Sequence, residues 1–252
     1  MSDIQSSLKG NRVVTDCSNN LDGLAGVVIL AGGASRRMGT PKAMLTLPSG
    51  EQLLDYHVRQ ASKLQIPILI ADNGRSFQIG SDINLENPNS PVMHIADYSS
   101  NSNASKCDDT INTGGALVAI ESALQTLLGL QDSHESKNKN KSWLLVISCD
   151  SLIPATDLWL TLQQSVYQAI DKQAVDKKVI CLEDNSHFYP LLGLYRLDIE
   201  PDLKAYIDSG QRRVMPFIQP RVEAVPFIVE WQHLTNFNTP KDFKQACAAL
   251  PK

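Results

Sequence analysis

Between Gly26 and Leu45 the chain reads GVVILAGGASRRMGTPKAML. An apolar run ends in a glycine pair, Gly32 and Gly33, and the cations Arg36, Arg37 and Lys42 follow closely. Such a stretch suits a tight turn, a nucleic-acid patch or a cradle for phosphates. Backbone N–H groups in a glycine-rich loop and fixed positive charges both hold phosphate oxygens. Three carboxylates could complete a phosphate site, because Asp72, Asp97 and Asp150 each close an apolar run of their own. A carboxylate beside bound phosphates can hold a divalent cation. The residue types together predict a polyphosphate site with a metal.

Those residues need strands to present them. VVILA from Val27 is continuously apolar and β-branched, as a strand covered on both faces must be. IPILIAD ends at Asp72, PVMHIAD at Asp97 and SWLLVISCD at Asp150, and KKVICLE, PLLGLYR and VEAVPFI are further strand candidates. Helices are expected through GEQLLDYHVRQASKL from Gly50, GGALVAIESALQTLLGL from Gly114, PATDLWLTLQQSVYQAI from Pro154 and IEPDLKAYIDSG ending at Gly210. A last helix is expected in TPKDFKQACAAL, capped by Thr239 with Pro240 in its first turn. Strands alternating with helices predict an α/β fold, a three-layer α/β/α sandwich with a Rossmann-like, mostly parallel sheet. In such sheets ligands gather beyond the carboxyl ends of the strands, which is where the glycine loop and the three aspartates fall.

The organisation expected is a flexible polar tail over residues 1–24 and a single domain over 25–252. Two polar segments, 98–113 and 131–142, interrupt it and are too poor in apolar residues to order themselves cheaply. The 252 residues suffice for one sizeable core. A net charge of −4 argues against a general nucleic-acid binder, though a local basic site survives it. The five cysteines are scattered, without a C-x-x-C pair, so neither a disulfide framework nor a zinc knuckle is expected. The five histidines lack a metal-ligand spacing. The opening residues carry no continuous apolar run, and nothing approaches a membrane span, so a cytoplasmic protein is expected.

The loop matches neither the P-loop pattern, since Lys42 is followed by Ala43, nor G-x-G-x-x-G. LAGGASRRMGTPKAML instead resembles the L-A-G-G-x-x-x-R-M-G-x-x-K signature of sugar-nucleotide-type nucleotidyltransferases. The doubled arginine is similar to that of the molybdenum cofactor guanylyltransferases within that superfamily. SCDSLIP (148–154) resembles their metal-binding turn, SGQRRVMPFI (209–218) their G-x-R-R-V-x-x-F segment, and NFNTPKDF (236–243) their closing N-x-N-T-P motif. The first stretch marks the superfamily; the four in this order point to the one family.

The resemblance implies transfer of GMP from GTP to a molybdopterin-type cofactor, with release of pyrophosphate and with Mg²⁺ as the metal. Leu30, Ala31, Gly32 and Gly33 would lie under the nucleotide, and Lys42 would neutralise its triphosphate. Arg36 and Arg37 would reach phosphates or the leaving pyrophosphate. Asp150 would hold Mg²⁺ against the α-phosphate, and Asp97 would contact the nucleotide. At the end of the second strand either Asp72 or its neighbour Asn73 would meet the nucleotide. Arg213, Asn236 and Asn238 would handle the pterin substrate. The partners implied are the two substrates, with transient contacts to other cofactor-biosynthesis proteins or to acceptor molybdoenzymes. The rival reading is a cytidylyltransferase of the same superfamily, whose members carry L-A-A-G where this chain has Leu30-Ala31-Gly32-Gly33.

Overall fold

The structure, a computed structural model, describes residues 23–33, 35, 37–83, 87–99, 114–132, 142–171, 177–185 and 187–250. The expected tail lies outside the described residues as far as residue 22, and the expected polar segments lie outside them over 100–113 and 133–141.

Seven strands form one sheet: β1 (Leu24–Leu30), β2 (Ile68–Ala71), β3 (Val92–Ile95), β4 (Trp143–Ser148), β5 (Val179–Glu183), β6 (Phe188–Arg196) and β7 (Val222–Pro226). Their order is β3-β2-β1-β4-β6-β5-β7. The apolar runs of β1, β2, β4 and β5 become strands buried on both faces, while β3 and β7 at the sheet edges are more exposed. Along β1, Val27 and Ile29 enter one core while Val28 enters the other, as the two-residue period of a strand requires.

Helices α1 (Leu53–Ser62), α3 (Ala155–Asp171) and α6 (Pro240–Ala248) contribute to one core. Helices α2 (Ala116–Asp132), α4 (Glu200–Asp208) and the short α5 (Val214–Ile218) contribute to the other. The result is the three-layer sandwich, with two departures from the sequence reading. First, α2 runs on to Asp132 and so takes in the start of the second polar segment. Second, β6 is antiparallel to both of its neighbours. A short turn joins β5 to β6, with Asp184 N–H donating to the His187 carbonyl at 3.0 Å. A connection that short can only reverse the chain, since parallel strands need a crossover of a dozen or more residues.

The strand order sets the site. From β1 the chain moves to β2 and β3 on one side, and from β4 it moves to β6 and β5 on the other. The carboxyl ends of β1 and β4 therefore lie side by side where the winding reverses, the place at which open α/β sheets hold ligands.

The packing of α2 on α4 carries its own titration. Glu121 is fully buried on α2, and Gln125 Nε2 donates both to its Oε1 at 2.9 Å and to Glu200 Oε1 at 3.3 Å. Burial, reinforced by the neighbouring Glu200 and opposed by Gln125 and Lys204, pushes the Glu121 carboxyl up to about 8 from 4.5. A raised carboxyl pKa means that folding takes up a proton. Its contribution is fully present below pH 4.5 and is lost as pH rises through about 8. Glu121→Gln, which stays neutral, should therefore flatten the fall in unfolding temperature between pH 5.5 and 8.5. The expected difference, on the order of a few kcal/mol at the alkaline end, is readable by thermal denaturation at the two pH values.

Candidate active site

The glycine loop leaves β1 with Ala31 N–H still bonded to the Ala71 carbonyl at 2.9 Å, so its start is an extension of the sheet. Gly32 is hemmed in, because a Cβ there would stand 3.0 Å from Asn73 Cβ and 3.3 Å from Asn73 N. Gly33 is open, with nothing within 4 Å of the position its Cβ would take. One glycine is thus required by packing, while at the other the protein leaves free space. Ser35 turns the chain with φ +44°, and its Oγ accepts from the Lys42 N–H at 3.1 Å. Lys42 then opens a 3-10 turn, Lys42–Met44, behind Pro41.

Three contacts aim the Lys42 ammonium. It donates to Asn238 Oδ1 at 3.2 Å, lies 3.5 Å from Asp150 Oδ2 and sits 5.7 Å from the centre of the Phe237 ring. Asp150 directly follows β4 and its Cys149, whose N–H donates to the Leu30 carbonyl at 3.2 Å. The lysine of one strand end and the aspartate of the next therefore face each other across one pocket. Its volume is ≈ 340 Å³, and Leu30, Ala31, Gly33, Arg37, Lys42, Asp150 and Asn238 are among its walls. The Cys149 thiol also lines it, but burial drives its pKa up to about 12, so it remains a thiol and is no nucleophile. His57, fully buried on α1, has its pKa lowered to about 4 by burial and stays neutral at pH 7.

The far wall comes from the chain's closing segment. Ser151 bridges to Thr235, and Leu152 N–H donates to the Leu234 carbonyl at 2.7 Å. Asn236 adopts φ +56°, and its carbonyl accepts from Asn238 Nδ2 at 2.9 Å. Phe237 is buried against Phe243. Thr239 and Asp242 form a reciprocal capping box at the start of α6, and Asp242 also accepts from the Asn238 N–H at 3.1 Å. With backbone and Nδ2 both tied, Asn238 has its Oδ1 left to present to Lys42.

A second pocket of ≈ 180 Å³ adjoins the first and shares Leu30, Gly33 and Ser148 with it. Gly32, Ala71, Asn73, Asp97, Ala119 and Leu191 also line it. Burial, together with the charge of Asp72, raises the Asp97 carboxyl above the ordinary carboxylate range. Asp72 itself turns inward. Only 2 % exposed, its Oδ2 accepts from the Phe77 N–H at 3.0 Å and lies 2.9 Å from His94 Nδ1. Of the two candidates at the end of β2, Asn73 is the one on the pocket wall. Its Nδ2 is buried without a hydrogen-bond partner among the described residues, a costly state that a ligand acceptor would relieve.

The structure thus brings Leu30, Ala31, Gly32, Gly33, Arg37, Lys42, Asp97, Asp150 and Asn238 to the two joined pockets. Arg213 is exposed at the start of α5 and lines neither of them. Arg36 lies outside the described residues. Sequence reasoning missed the Phe237 ring beneath Lys42, and the Asn238 bond to that lysine. The only trace of either is their place in the NFNTP motif.

A metal has a limited donor set here. Among the described residues no group of three or more His, Cys, Asp or Glu side chains could hold an ion by itself. Mg²⁺ ordinarily takes one or two carboxylates plus substrate phosphates and water, so Asp150 fits an ion that arrives with a polyphosphate. No helix among the described residues is long and apolar enough to cross a membrane.

Known proteins are similar to this chain in sequence and in fold. A molybdenum cofactor guanylyltransferase of Shewanella frigidimarina (strain NCIMB 400) is 24 % identical over 226 residues, which is 89 % of this chain and 96 % of that protein. The crystal structure of molybdopterin-guanine dinucleotide biosynthesis protein A from Archaeoglobus fulgidus superposes with a TM-score of 0.59 at 20 % identity, covering 89 % of this chain and all (100 %) of that one. The 2-C-methyl-D-erythritol 4-phosphate cytidylyltransferase of Francisella tularensis superposes with a TM-score of 0.52 at 13 % identity, covering 90 % of this chain and 100 % of that one. The fold is therefore common to enzymes named for different bases. The family described as the MobA-like NTP transferase domain matches residues 27–224, which takes in most of the sheet and the lining of both pockets apart from Asn238, and the chain belongs to that family.

Proposed function

We propose that this protein transfers GMP from GTP to a molybdopterin-type cofactor, releasing pyrophosphate. The observation that carries the reading is the pair Lys42 and Asp150, 3.5 Å apart on the wall of a pocket where β1 and β4 end. The names of the sequence relatives supply the substrates.

The two pockets divide the nucleotide between them. The nucleoside lies in the smaller one, against Ala71, Ala119 and Leu191, with Asn73 and Asp97 as its polar contacts. The triphosphate passes Gly33, which lines both pockets, and extends into the larger one toward Lys42 and Arg37. Transfer is an in-line displacement. An oxygen of the cofactor's terminal phosphate bonds to the α-phosphorus, while the bond from that phosphorus to the bridging oxygen breaks and the electron pair leaves with pyrophosphate. The attacking phosphate is already ionised at neutral pH, so no general base is needed. Catalysis then rests on holding the reactants in line and on positive charge where the negative charge moves. Lys42 supplies that charge at a point fixed by Asn238 and Phe237, and Arg37 at the pocket wall supplies it toward the leaving group. Mg²⁺, held by Asp150 and by substrate phosphates, would add Lewis-acid stabilisation of the phosphoryl oxygens. Asn236, which lines neither pocket, and exposed Arg213 would meet the pterin beyond them. Acceptor molybdoenzymes and other cofactor-biosynthesis proteins are the partners this activity implies, in the cytoplasm.

The test is pyrophosphate release with molybdopterin-type cofactor, Mg²⁺ and either GTP or CTP. A preference for GTP of about 10-fold or more in kcat/KM is expected. A clear preference for CTP rejects guanylyl transfer in favour of the cytidylyl reaction, and no release with either nucleotide rejects both.

A further inference from the structure

Arg75 lies outside all four motifs, yet its guanidinium reaches the glycine loop. Arg75 Nη1 donates to the Gly33 carbonyl at 3.0 Å. The turn after β2 is shaped to deliver it. Asn73 and Gly74 take φ +56° and +70°, and Arg75 N–H closes the turn on the Asp72 carbonyl at 3.3 Å. Buried Asp72 anchors the far side through the Phe77 N–H, and the Phe77 ring centre lies 5.9 Å from Arg75 Cζ. The guanidinium is thus placed between an aromatic ring and a carbonyl. Contact between Gly32 and Asn73 keeps the turn and the loop at a fixed spacing.

Gly33 is where this contact matters. It lines both pockets, so a nucleotide occupying both passes it near the α-phosphate. A glycine peptide turns easily. Were its carbonyl oxygen to swing toward the phosphates, two negative ends would meet at close range. Ser35 Oγ adds only a longer contact to the same oxygen, at 3.4 Å.

We propose that Arg75 is a positioning residue for nucleotidyl transfer, holding the Gly33 carbonyl against the β2 turn so that the loop offers the α-phosphate no repelling oxygen. This rests on the assignment of the two pockets made above. It separates Arg75 from Lys42 and Arg37: those touch phosphate, whereas Arg75 acts through the backbone.

Calorimetric titration of the full chain with GTP and Mg²⁺, and separately with guanosine, tests it on Arg75→Ala and Arg75→Lys. Loss of a charged hydrogen bond predicts that Arg75→Ala weakens GTP about 10- to 100-fold. Guanosine, which has no phosphate to repel, should change by less than about 3-fold. Arg75→Lys keeps a charged donor and should bind GTP within about 5-fold of the wild type. Equal weakening of GTP and guanosine would mark a merely structural turn and overturn the proposal, as would unchanged GTP binding by Arg75→Ala or failure of Arg75→Lys to recover any affinity. A wild-type protein that binds no nucleoside triphosphate overturns the functional reading and this one with it. Normal wild-type binding beside an undisturbed Arg75→Ala overturns this one alone.

Discussion

Asp150→Asn is expected to lose pyrophosphate release by about a thousand-fold or more while binding metal-free GTP more tightly than the wild type does. The two effects have opposite signs because the carboxylate has two electrostatic roles. In the proposed reaction it would hold the Mg²⁺ that the triphosphate brings, a role a neutral amide fills poorly. With the metal removed by a chelator, the same carboxylate stands in the pocket as a negative charge facing phosphates. Removing it should then improve GTP affinity by about 5-fold, the order expected for one unit charge near the surface. Folding should hardly change. Asp150 and Lys42 are 29 % and 16 % exposed, and at 3.5 Å a partly hydrated pair of this kind contributes at most about 1 kcal/mol. Turnover, GTP titration with and without chelator, and a thermal melt of the same preparation check all three. Full activity in Asp150→Ala would remove the metal assignment.

Lys42→Ala should cost about a hundred- to a thousand-fold in kcat/KM for GTP, again with a small change in melting temperature. Lys42→Arg should recover little of it. The ammonium fits among Asn238 Oδ1, Asp150 Oδ2 and the Phe237 ring, and the broader planar guanidinium has donors in a different arrangement. The double variant Lys42→Ala with Asp150→Ala should be scarcely worse than the poorer single one, since in the proposed reaction both act on the same phosphates. Steady-state kinetics on the four proteins reads this. Additive losses would mean that the two residues serve different parts of the reaction.

Both expectations join residues that the chain keeps far apart, and this shows how far local reading reaches. Strands such as β1 and β4 were legible because the runs VVIL and LLVI are apolar at every position, as a strand covered on both faces requires. The cap of α6 was legible too, since Thr239 and Pro240 act on the nearest turn. The direction of β6 was not, because it depends on the length of its connection to β5. Helix α5 also escaped notice, being too short for a helical period to show. At the end of β2 the choice between Asp72 and Asn73 stayed open in sequence, since which of two neighbouring side chains meets the pocket depends on the bonds each makes to distant residues. The bonds from Asp72 to Phe77 and His94 turn that carboxylate inward and leave Asn73 on the pocket wall.

Sequence by itself determined which residues stand at the carboxyl ends of strands, because hydrophobic period and turn chemistry are local. It thereby named most of the glycines, cations and carboxylates that the two pockets bring together. Only the tertiary structure decided which strand ends adjoin, because strand order arises from packing two cores at once rather than from any single segment. That order places β4 beside β1, sets Asp150 against Lys42, and brings the closing Asn238 back to bind a lysine 196 residues earlier.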